Sequence, residues 1–415
     1  PWPSFQVAGE EERNSAAMRL LLAGAVLLSA AAYYVYLPLP SGVSEPWKLM
    51  LLDALIRSFM QAVRSDVAHA LGVCHRVHLL NQVVSWVEEV EARSCSAVHV
   101  SDSSLGGVPA RVFLPTAGRR LKRGVVYFHG GGWIETYIIY IYIYIYIYIY
   151  IYIYIYISAV FPDQYHDALA ASRAFLSAPV LQRYGIDPER VCVSGDSAGG
   201  NLAAAVAQEL SSDDTLPVKF KVQALIYPVL QALDFYTPSY QQNRAVPILY
   251  RPVMARFWLQ YLGADASLEP LLLANNHSSL DQPAIGADAR SKLDWTALLP
   301  AERKKHFRPV ARETGSPQVM VAVPELMDVR AAPLLAELGA LGATPKAYVM
   351  TCEFDVLRDD GLMYIRRLRD AGVAVTSDHY EDGFHGCMAF AFAPVLSSVG
   401  RRSADNYIRW LDQNL

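Results

Sequence analysis

The sequence predicts an α/β fold in which a mostly parallel sheet is flanked by helices. Strand-like apolar segments alternate with helical segments, the order expected when parallel strands are joined by crossover helices. Two of the apolar segments end in glycine-rich motifs, at 129–133 and 195–199. A length of 415 residues is sufficient for one large α/β domain with a helical cap, or for two domains.

The second motif, Gly195-Asp-Ser-Ala-Gly199, matches the G-x-S-x-G turn that carries a nucleophilic serine between a strand and a helix. Residues 190–194 are predicted to form the strand and residues 198–210 the helix. The serine at the apex of this turn has a strained backbone, and side chains two residues away would collide with the neighbouring strand and helix. We therefore predict that Ser197 is a nucleophile and that both flanking positions require glycine.

The first motif, His129-Gly130-Gly-Gly-Trp133, follows the predicted strand 123–128. In esterases and lipases a glycine-rich loop at this place supplies backbone N–H groups to the oxyanion hole. The helix after Ser197 directs its N-terminal N–H groups to the same point. An ordinary tight turn is the alternative explanation for residues 195–199, but the two motifs in this order favour acyl-transfer chemistry.

A serine nucleophile requires a base, and the base requires an acidic residue that orients it. The chain order in this architecture is serine, acid, histidine. Asp355 follows the apolar segment 347–351, and His385 follows the strand candidate 374–380, so both are expected on loops beyond strand ends. We predict Asp355 as the acid and His385 as the base.

Other residues near these positions compete for the two roles. Glu353, Asp359 and Asp360 are alternative acids, although the last two are expected in the first turn of a helix, where they would compensate the helix dipole. His379 is the alternative base, although its position predicts a strand residue.

The remaining elements complete an α/β pattern. Further strands are predicted at 97–100, 111–114 and 222–227, and helices at 47–90, 357–371 and 399–415. The loop-rich segment 233–317 is predicted to form a cap together with residues 46–90. Its aromatic residues Phe257, Trp258 and Tyr261 are expected to be core residues, with the lining of an acyl pocket as the alternative.

The chain resembles the arylacetamide deacetylases, in the hormone-sensitive-lipase group of α/β-hydrolases. Six stretches carry the resemblance: 125–133, 194–201, 225–228, 328–333, 355–361 and 381–386. It implies an α/β-hydrolase domain over 46–415 that hydrolyses lipophilic acyl esters or arylacetamides through an acyl-enzyme. A neutral lipid or cholesteryl ester hydrolase is the alternative substrate class, and a non-catalytic ligand-binding protein is the alternative of another kind.

The resemblance also implies roles for individual residues. The triad would be Ser197, Asp355 and His385. The backbone amides of Gly131, Gly132 and Ala198 would form the oxyanion hole. The other residues of the two motifs are His129, Gly130, Gly195 and Gly199. Because all three triad positions are filled, the sequence argues against a non-catalytic protein. This chemistry involves no cofactor, and we expect none.

Residues 137–157 depart from the family pattern, because from residue 140 onwards they alternate strictly between tyrosine and isoleucine. Period two predicts a strand, but at roughly 3.3 Å per residue the run is far too long for one strand of this sheet. A membrane span here would separate the oxyanion loop from Ser197. The crossover helix and strand expected between residues 133 and 159 have no recognisable pattern.

A repeated TA dinucleotide encodes Tyr-Ile in every frame and on both strands. We therefore interpret the run as a translated microsatellite, an artefact of the gene model, which a transcript read across residues 132–159 would test. A genuine expansion, which would be an aggregation-prone β-segment, is the alternative.

Residues 20–37 are uncharged, apolar and edged by tyrosines, and they are long enough to span a bilayer. We predict a signal-anchor transmembrane helix over 18–37, with residues 1–17 as an upstream extension and a cleaved signal peptide as the alternative. The resemblance implies a single-pass protein of the endoplasmic reticulum membrane with a lumenal catalytic domain. Asn276-His-Ser278 is then a candidate N-glycosylation site on a surface loop.

The charge and the cysteine pattern argue against nucleic-acid binding and metal binding. The net charge is −4 and no stripe of basic residues is present, so no nucleic-acid partner is predicted. Cys74-His-x-x-His78 is an isolated ligand pattern, so no metal site is predicted. Cys192 is expected in the core. In the resembled family a cysteine at the position of Ile134 pairs with one at that of Cys352, so Cys352 is expected without its partner.

Overall fold

The computed structural model describes residues 4–64, 94–117, 121–133, 150–155, 160–283, 285–310, 312–392 and 395–415. The strands in these residues are β1 (Val98–Leu105), β2 (Val108–Pro115), β3 (Lys122–Phe128), β4 (Tyr150–Ile155), β5 (Ile186–Asp196), β6 (Val222–Ile226), β7 (Lys346–Phe354) and β8 (Val375–Phe384).

The longest helices lie toward the two ends of the chain or pack on the sheet. Most of the short helices lie between β6 and β7. The α-helices are α1 (Ser4–Val35), α2 (Pro46–Arg64), α3 (Asp163–Phe175), α4 (Ala178–Tyr184), α5 (Ala198–Ser211), α6 (Pro238–Gln242), α7 (Arg251–Tyr261), α8 (Glu269–Leu273), α9 (Ala287–Lys292), α10 (Trp295–Leu298), α11 (Ala301–Lys304), α12 (Gln318–Ala322), α13 (Leu338–Gly342), α14 (Arg358–Asp370) and α15 (Ser398–Asn414). The 3₁₀ helices are Ala266–Leu268, Asn276–Ser278, Pro324–Met327, Pro333–Leu335 and Cys387–Phe390.

The strands form one sheet in the order β1-β2-β4-β3-β5-β6-β7-β8. The first two pairings are antiparallel, and all pairings from β4 through β8 are parallel. The expected mostly parallel sheet flanked by helices is therefore confirmed. Parallel strands place their carboxyl ends at one edge, and that edge is where ligands bind in open α/β sheets.

The helix after the glycine-rich turn, α5, shows why these residues form a helix and where the core lies. Its alanine-rich sequence has high helix propensity. Small side chains also let the helix pack closely, and nearly all of its residues are buried. The helix packs on β5 and β6, so the residue that precedes it is held at the sheet edge.

The Tyr-Ile run supplies a strand of this sheet. Residues Tyr150–Ile155 pair antiparallel with β2 and parallel with β3. Although the run is interpreted above as an artefact of the gene model, six of its residues form a strand, the element that period two is typical of. The crossover strand expected from the family pattern is not recognisable in the sequence, and in the structure these six residues lie in its place between β2 and β3. The rest of the run, at 140–149 and 156–157, lies outside the described residues.

Each strand that bears a motif ends directly before the predicted site residue. The strand β5 ends one residue before Ser197, β7 ends one residue before Asp355, and β8 ends one residue before His385. All three strands are longer than predicted from sequence. The loop positions predicted for the three residues are confirmed.

The N-terminal unit contains α1 and α2. Within α1, residues Ala17–Val35 form a helix long and apolar enough to cross a membrane, a test that signal sequences also pass. This agrees with the predicted span at 18–37. Residues 65–93 lie outside the described residues. Residues 65–90 of the predicted first cap segment and the Cys74-His-x-x-His78 pattern fall in this range.

Candidate active site

Ser197 occupies a sharp turn between β5 and α5. Its backbone has φ 53° and ψ −119°, in the positive-φ region that L-residues rarely adopt. The Ser197 N–H donates to the Ile226 carbonyl at 2.9 Å, and its own carbonyl accepts from Asn201 N–H at 3.1 Å. These bonds anchor the turn to the adjacent strand β6 and to the first turn of the helix.

The glycines around the turn are required by close backbone contacts. A Cβ atom at Gly195 would lie 2.3 Å from the Gly199 carbonyl oxygen. A Cβ atom at Gly199 would lie 2.0 Å from the Phe128 carbonyl oxygen. Both contacts are with backbone, which cannot rotate away, so side chains at these positions would displace a strand or the helix.

The three predicted triad side chains are brought together in one hydrogen-bonded line. Ser197 Oγ lies 3.0 Å from His385 Nε2, and His385 Nδ1 lies 2.8 Å from Asp355 Oδ2. All three residues are buried. With the proton on Nδ1 bound to the carboxylate, Nε2 is left to accept from the serine hydroxyl. This arrangement can withdraw the hydroxyl proton during nucleophilic attack.

The loop that carries Asp355 is fixed by hydrogen bonds on both sides. The second carboxylate oxygen, Oδ1, accepts from the Leu357 N–H at 2.8 Å. Asn243 Nδ2, from the segment predicted as a cap, donates to the backbone carbonyls of Glu353 at 2.8 Å and Asp355 at 3.0 Å. The carboxylate is therefore held in one orientation toward the imidazole.

The glycine-rich loop packs directly against the serine. A Cβ atom at Gly130 would lie 3.1 Å from the Ser197 Cβ, so the two motifs are in contact. Gly131 and Gly132 both have positive φ, at 99° and 65°, a conformation that favours glycine. The ring Nδ1 of His129 donates to the Gly130 carbonyl at 2.7 Å.

Asp196 joins the two motifs, although the sequence suggested no role for it. Its Oδ1 accepts from the Gly130 N–H at 3.0 Å and from the Tyr127 hydroxyl at 2.9 Å. The residue occupies the variable second position of the G-x-S-x-G motif. A buried carboxylate that receives a backbone N–H from the glycine-rich loop fixes that loop next to the serine.

Aromatic side chains of α7 cover the end of the same loop. Trp133 stacks on Tyr261 with ring centroids 4.2 Å apart and an interplanar angle of 7°, and its ring lies 4.8 Å from that of Trp258. A Cβ atom at Gly132 would lie 2.6 Å from the Phe257 ring, so this half-buried ring rests on the glycine. Trp258 and Tyr261 are thus buried packing residues, whereas Phe257 lies beside a predicted oxyanion-hole residue.

The competing histidine and the competing acid nearest Asp355 are bound to each other instead. His379 Nε2 lies 3.2 Å from Glu353 Oε2, and its Nδ1 lies 2.8 Å from Thr351 Oγ1. Glu353 also pairs with Arg303 and Arg358. Burial alone would raise the pKa of Glu353, but the His379 hydrogen bond and the two guanidinium groups lower it to about 2.

The other two competing acids lie in the first turn of α14, as expected, and are buried. Asp359 accepts from the Ser239 N–H at 2.6 Å. Asp360 accepts from the Leu230 N–H at 2.9 Å and from Gln231 Nε2 at 3.0 Å. Burial raises the pKa of Asp360 to about 7 against these hydrogen bonds. Both carboxylates therefore hold loops that follow β6, and neither contacts His385 in the described structure.

Glu353, His379 and Glu381 are close enough to share a metal ion. Arg303 pairs with both carboxylates, Glu381 at 2.7 Å. Because a guanidinium group already balances the negative charge, the geometry favours an ion-pair network at this place over a metal site.

Cys352 and Cys387 lie beside the acid and base loops, respectively. Their buried Sγ atoms are 3.6 Å apart and unbridged. Burial raises the pKa of the Cys352 thiol. Cys192 is buried in β5, as expected. The neighbour of Cys352 is thus a cysteine that sequence reasoning did not pair with it.

The sequon residue Asn276 begins a 3₁₀ helix and is half-buried, so it differs from the exposed loop expected from sequence. Its carbonyl accepts from the Ser316 N–H at 3.1 Å. The next residue, His277, is buried and binds the Ala232 carbonyl through Nε2 at 2.9 Å.

Comparisons with known proteins agree with this fold. A family described as having the alpha/beta hydrolase fold matches residues 158–285 and 299–389. Neutral cholesterol ester hydrolase 1 of Mus musculus is 48% identical over 403 residues, which cover 94% of this chain and 98% of that protein. Arylacetamide deacetylase of Mus musculus is 39% identical over 400 residues, covering 92% of this chain and 96% of that protein.

Solved structures are similar in fold. An esterase from Rhizomucor miehei has a TM-score of 0.61 and 22% identity, covering 90% of this chain and 98% of that chain. A thermostable esterase from Pseudomonas putida has a TM-score of 0.56 and 23% identity, covering 80% of this chain and 88% of that chain. The expected resemblance to arylacetamide deacetylases is confirmed, and the neutral cholesterol ester hydrolases share more identity. The chain belongs to the α/β-hydrolase family and is a hydrolase.

Proposed function

We propose that this hydrolase is a serine esterase for lipophilic acyl esters, in which Ser197 is the nucleophile, His385 the general base and Asp355 the residue that orients it. The observation that carries the proposal is the hydrogen-bonded line from Ser197 Oγ through His385 to Asp355, with distances of 3.0 and 2.8 Å. No other described acid or histidine near the site shares this alignment with the serine.

The acylation step follows from this geometry. Ser197 Oγ attacks the carbonyl carbon of the ester, and its proton moves to His385 Nε2. The imidazolium is stabilised by the Asp355 carboxylate. The oxyanion accepts hydrogen bonds from the N–H groups of Gly131, Gly132 and Ala198, and the N-terminus of α5 adds a favourable dipole. His385 then protonates the leaving alcohol as the carbon–oxygen bond breaks.

Deacylation repeats the sequence with water. His385 Nε2 removes a proton from water, which attacks the acyl carbon, and the same N–H groups stabilise the second oxyanion. Collapse of this second tetrahedral intermediate releases the carboxylic acid, and His385 returns the proton to Ser197 Oγ. Ester and amide substrates form similar tetrahedral intermediates, so residues around the acyl and leaving groups decide the preference.

Two features support a lipophilic ester. The relatives with 48% and 39% identity are named as hydrolases of a cholesterol ester and of an arylacetamide, both of which are apolar substrates. Phe257 places an aromatic ring beside Gly132, where an acyl or alcohol group would lie. The segment 233–317 is proposed as part of the cap because Asn243 and Phe257 contact the acid loop and the oxyanion loop.

The substrate class is tested with the full chain in membranes. We expect hydrolysis of a cholesteryl ester dispersed in lipid, together with short p-nitrophenyl esters, and loss of both activities in Ser197→Ala. Hydrolysis of an arylacetamide, measured under the same conditions as the two esters, compares amide cleavage with ester cleavage. A preference for small charged esters, with cholesteryl and arylacetamide substrates untouched, would contradict the proposed substrate class.

We further propose that α1 is an uncleaved signal anchor of the endoplasmic reticulum membrane, with the catalytic domain in the lumen and Asn276 glycosylated. The uncharged helix at Ala17–Val35 and the sequon support this. Carbonate-resistant membrane association should be lost when residues 18–37 are deleted, and a glycosidase-sensitive mass should be lost in Asn276→Gln. Release of the full chain by carbonate would contradict the membrane anchor. An unchanged mass in Asn276→Gln would contradict glycosylation of Asn276.

A further inference from the structure

The helix α2 carries a row of exposed apolar side chains. Trp47, Leu51 and Leu55 are 59%, 45% and 68% exposed in the described structure. Their spacing of four residues places them on one side of the helix. On the opposite side Leu49 and Asp53 are buried. A row of large apolar side chains on one face requires an apolar occupant or carries a cost in water.

Contacts within the N-terminal unit hold α2 at the end of the candidate membrane span. The Tyr34 hydroxyl lies 3.1 Å from Ser58 Oγ. The Arg57 guanidinium donates to the Tyr34 carbonyl at 3.0 Å and lies 4.7 Å from the centre of its ring. Arg57 is oriented by an ion pair with Asp53 at 2.6 Å. These contacts attach the second half of α2 to the last turn of α1.

The position of Tyr34 along α1 sets the depth of α2. The apolar segment Ala17–Val35 has 19 residues. At about 1.5 Å per residue a segment of that length matches a hydrocarbon core of roughly 30 Å. Its last turn, with exposed Tyr33 followed by Tyr36, therefore falls at the boundary between hydrocarbon and headgroups, where tyrosine is favoured. Residues that contact Tyr34 lie at the same boundary.

We propose that α2 lies in the membrane–water interface, with Trp47, Leu51 and Leu55 inserted among the lipids of the bilayer that α1 spans. This inference rests on the proposed membrane tether. A lipid surface is the occupant because α2 is attached to the end of an apolar helix whose span window is 0% buried. Amphipathic helices with tryptophan and leucine on one face and charged residues on the other bind bilayers in this orientation. The partly exposed Arg57 supplies a charged group off the apolar row.

The test uses the full chain in phosphatidylcholine vesicles, in a background with Cys74→Ser and Cys95→Ser. Single variants Leu51→Cys and Leu55→Cys carry an environment-sensitive fluorophore. Leu27→Cys reports on the span. Arg366→Cys, on an exposed residue of α14, is the aqueous control. Circular dichroism checks that each labelled chain is folded. Vesicles with brominated acyl chains then measure contact with lipid.

We expect labels at positions 27, 51 and 55 to lose emission in brominated vesicles, and the label at 366 to be unaffected. If 27 is quenched while 51 and 55 are not, the tether stands and the interfacial helix is wrong. A label at 27 that is not quenched overturns the tether itself. If the labels at 51 and 55 show the emission of an apolar environment but are not quenched, another part of the protein covers these side chains. That result also contradicts the proposal.

Discussion

Ser197 holds a backbone conformation that an L-residue adopts only at a cost of about 1–3 kcal/mol. Its φ of 53° is maintained by the hydrogen bonds to Ile226 and Asn201, and by the close approach of Gly195 to Gly199. This conformation positions the side chain, because the turn directs Ser197 Oγ at His385 Nε2. Surrounding packing therefore fixes the reactive hydroxyl before substrate arrives.

The alignment of His385 with Asp355 predicts the effect of replacing the acid. Asp355→Asn should lower kcat by about ten-thousandfold, because an amide cannot hold the imidazole in the tautomer that leaves Nε2 free to accept a proton. Steady-state hydrolysis of a p-nitrophenyl ester measures this, and thermal unfolding checks that the variant is folded.

Glu353→Gln is the matched control for Asp355→Asn, two residues away on the same strand end. Glu353 bonds to His379, Arg303 and Arg358, so its loss should lower the free energy of unfolding by about 1–3 kcal/mol. The kcat should remain close to the wild-type value. A larger loss of kcat in Glu353→Gln than in Asp355→Asn would transfer the acid role to Glu353.

His277 predicts a dependence of stability on pH. Burial lowers its pKa from 6.5 to about 4, against hydrogen bonds to the Ala232 and Leu271 carbonyls. A depressed pKa means that the folded protein resists protonation while the unfolded chain accepts it. The stability contributed by neutral His277 is therefore present above pH 6.5 and is lost as pH falls toward 4, by about 3 kcal/mol in all.

Chemical denaturation of wild type and His277→Gln from pH 7 to pH 4 measures this contribution. Glutamine retains an N–H donor toward Ala232 but does not titrate. The stability difference between the two proteins should shrink as the pH falls through this range. A difference that stays constant with pH would show that His277 is not the group responsible.

Among the elements, β5 and α5 depend on the closest packing in the site. A Cβ atom at Gly199 would lie 2.0 Å from the Phe128 carbonyl and 2.6 Å from the His129 carbonyl, both in the backbone leading into the oxyanion loop. We expect Gly199→Ala to separate α5 from β3 and to cost more than about 4 kcal/mol of unfolding free energy. Reduced soluble yield or a large fall in Tm measures it.

Gly339→Ala in α13 is the control for this substitution. Gly339 is exposed and its Cβ would meet nothing within 4 Å. Alanine there should be neutral or should stabilise the helix by up to about 1 kcal/mol. A fall in Tm for Gly339→Ala equal to that for Gly199→Ala would mean that backbone contact at the turn is not the cause.

At the scale of the whole molecule, the site is assembled from residues far apart in the chain by one topological feature. The strands β3, β5, β6, β7 and β8 are parallel neighbours, so their carboxyl ends meet at one edge. A loop beyond β3, a turn beyond β5, and the residues after β7 and β8 therefore converge. This explains why Ser197, Asp355 and His385, which the motif and the chain order place just beyond separate strands, lie together in the structure.

The contacts that support the site could not be predicted in the same way. Asn243 reaches the acid loop from the segment between β6 and β7, where short helices give weak sequence patterns. Asp196 occupies a variable motif position, so its bond to Gly130 depends on tertiary approach. Cys387 faces Cys352 only because β7 and β8 are adjacent. The partial burial of Asn276 likewise arises from a long-range contact, with residues 315–316.

Active-site labelling tests directly whether Ser197 is the catalytic nucleophile. A fluorophosphonate probe should modify the full chain once, on the peptide that contains Ser197, with parallel loss of ester hydrolysis. Ser197→Ala should abolish the labelling and lower kcat by about a millionfold. Labelling that persists in Ser197→Ala, or that maps to another serine while hydrolysis is lost, would contradict the account.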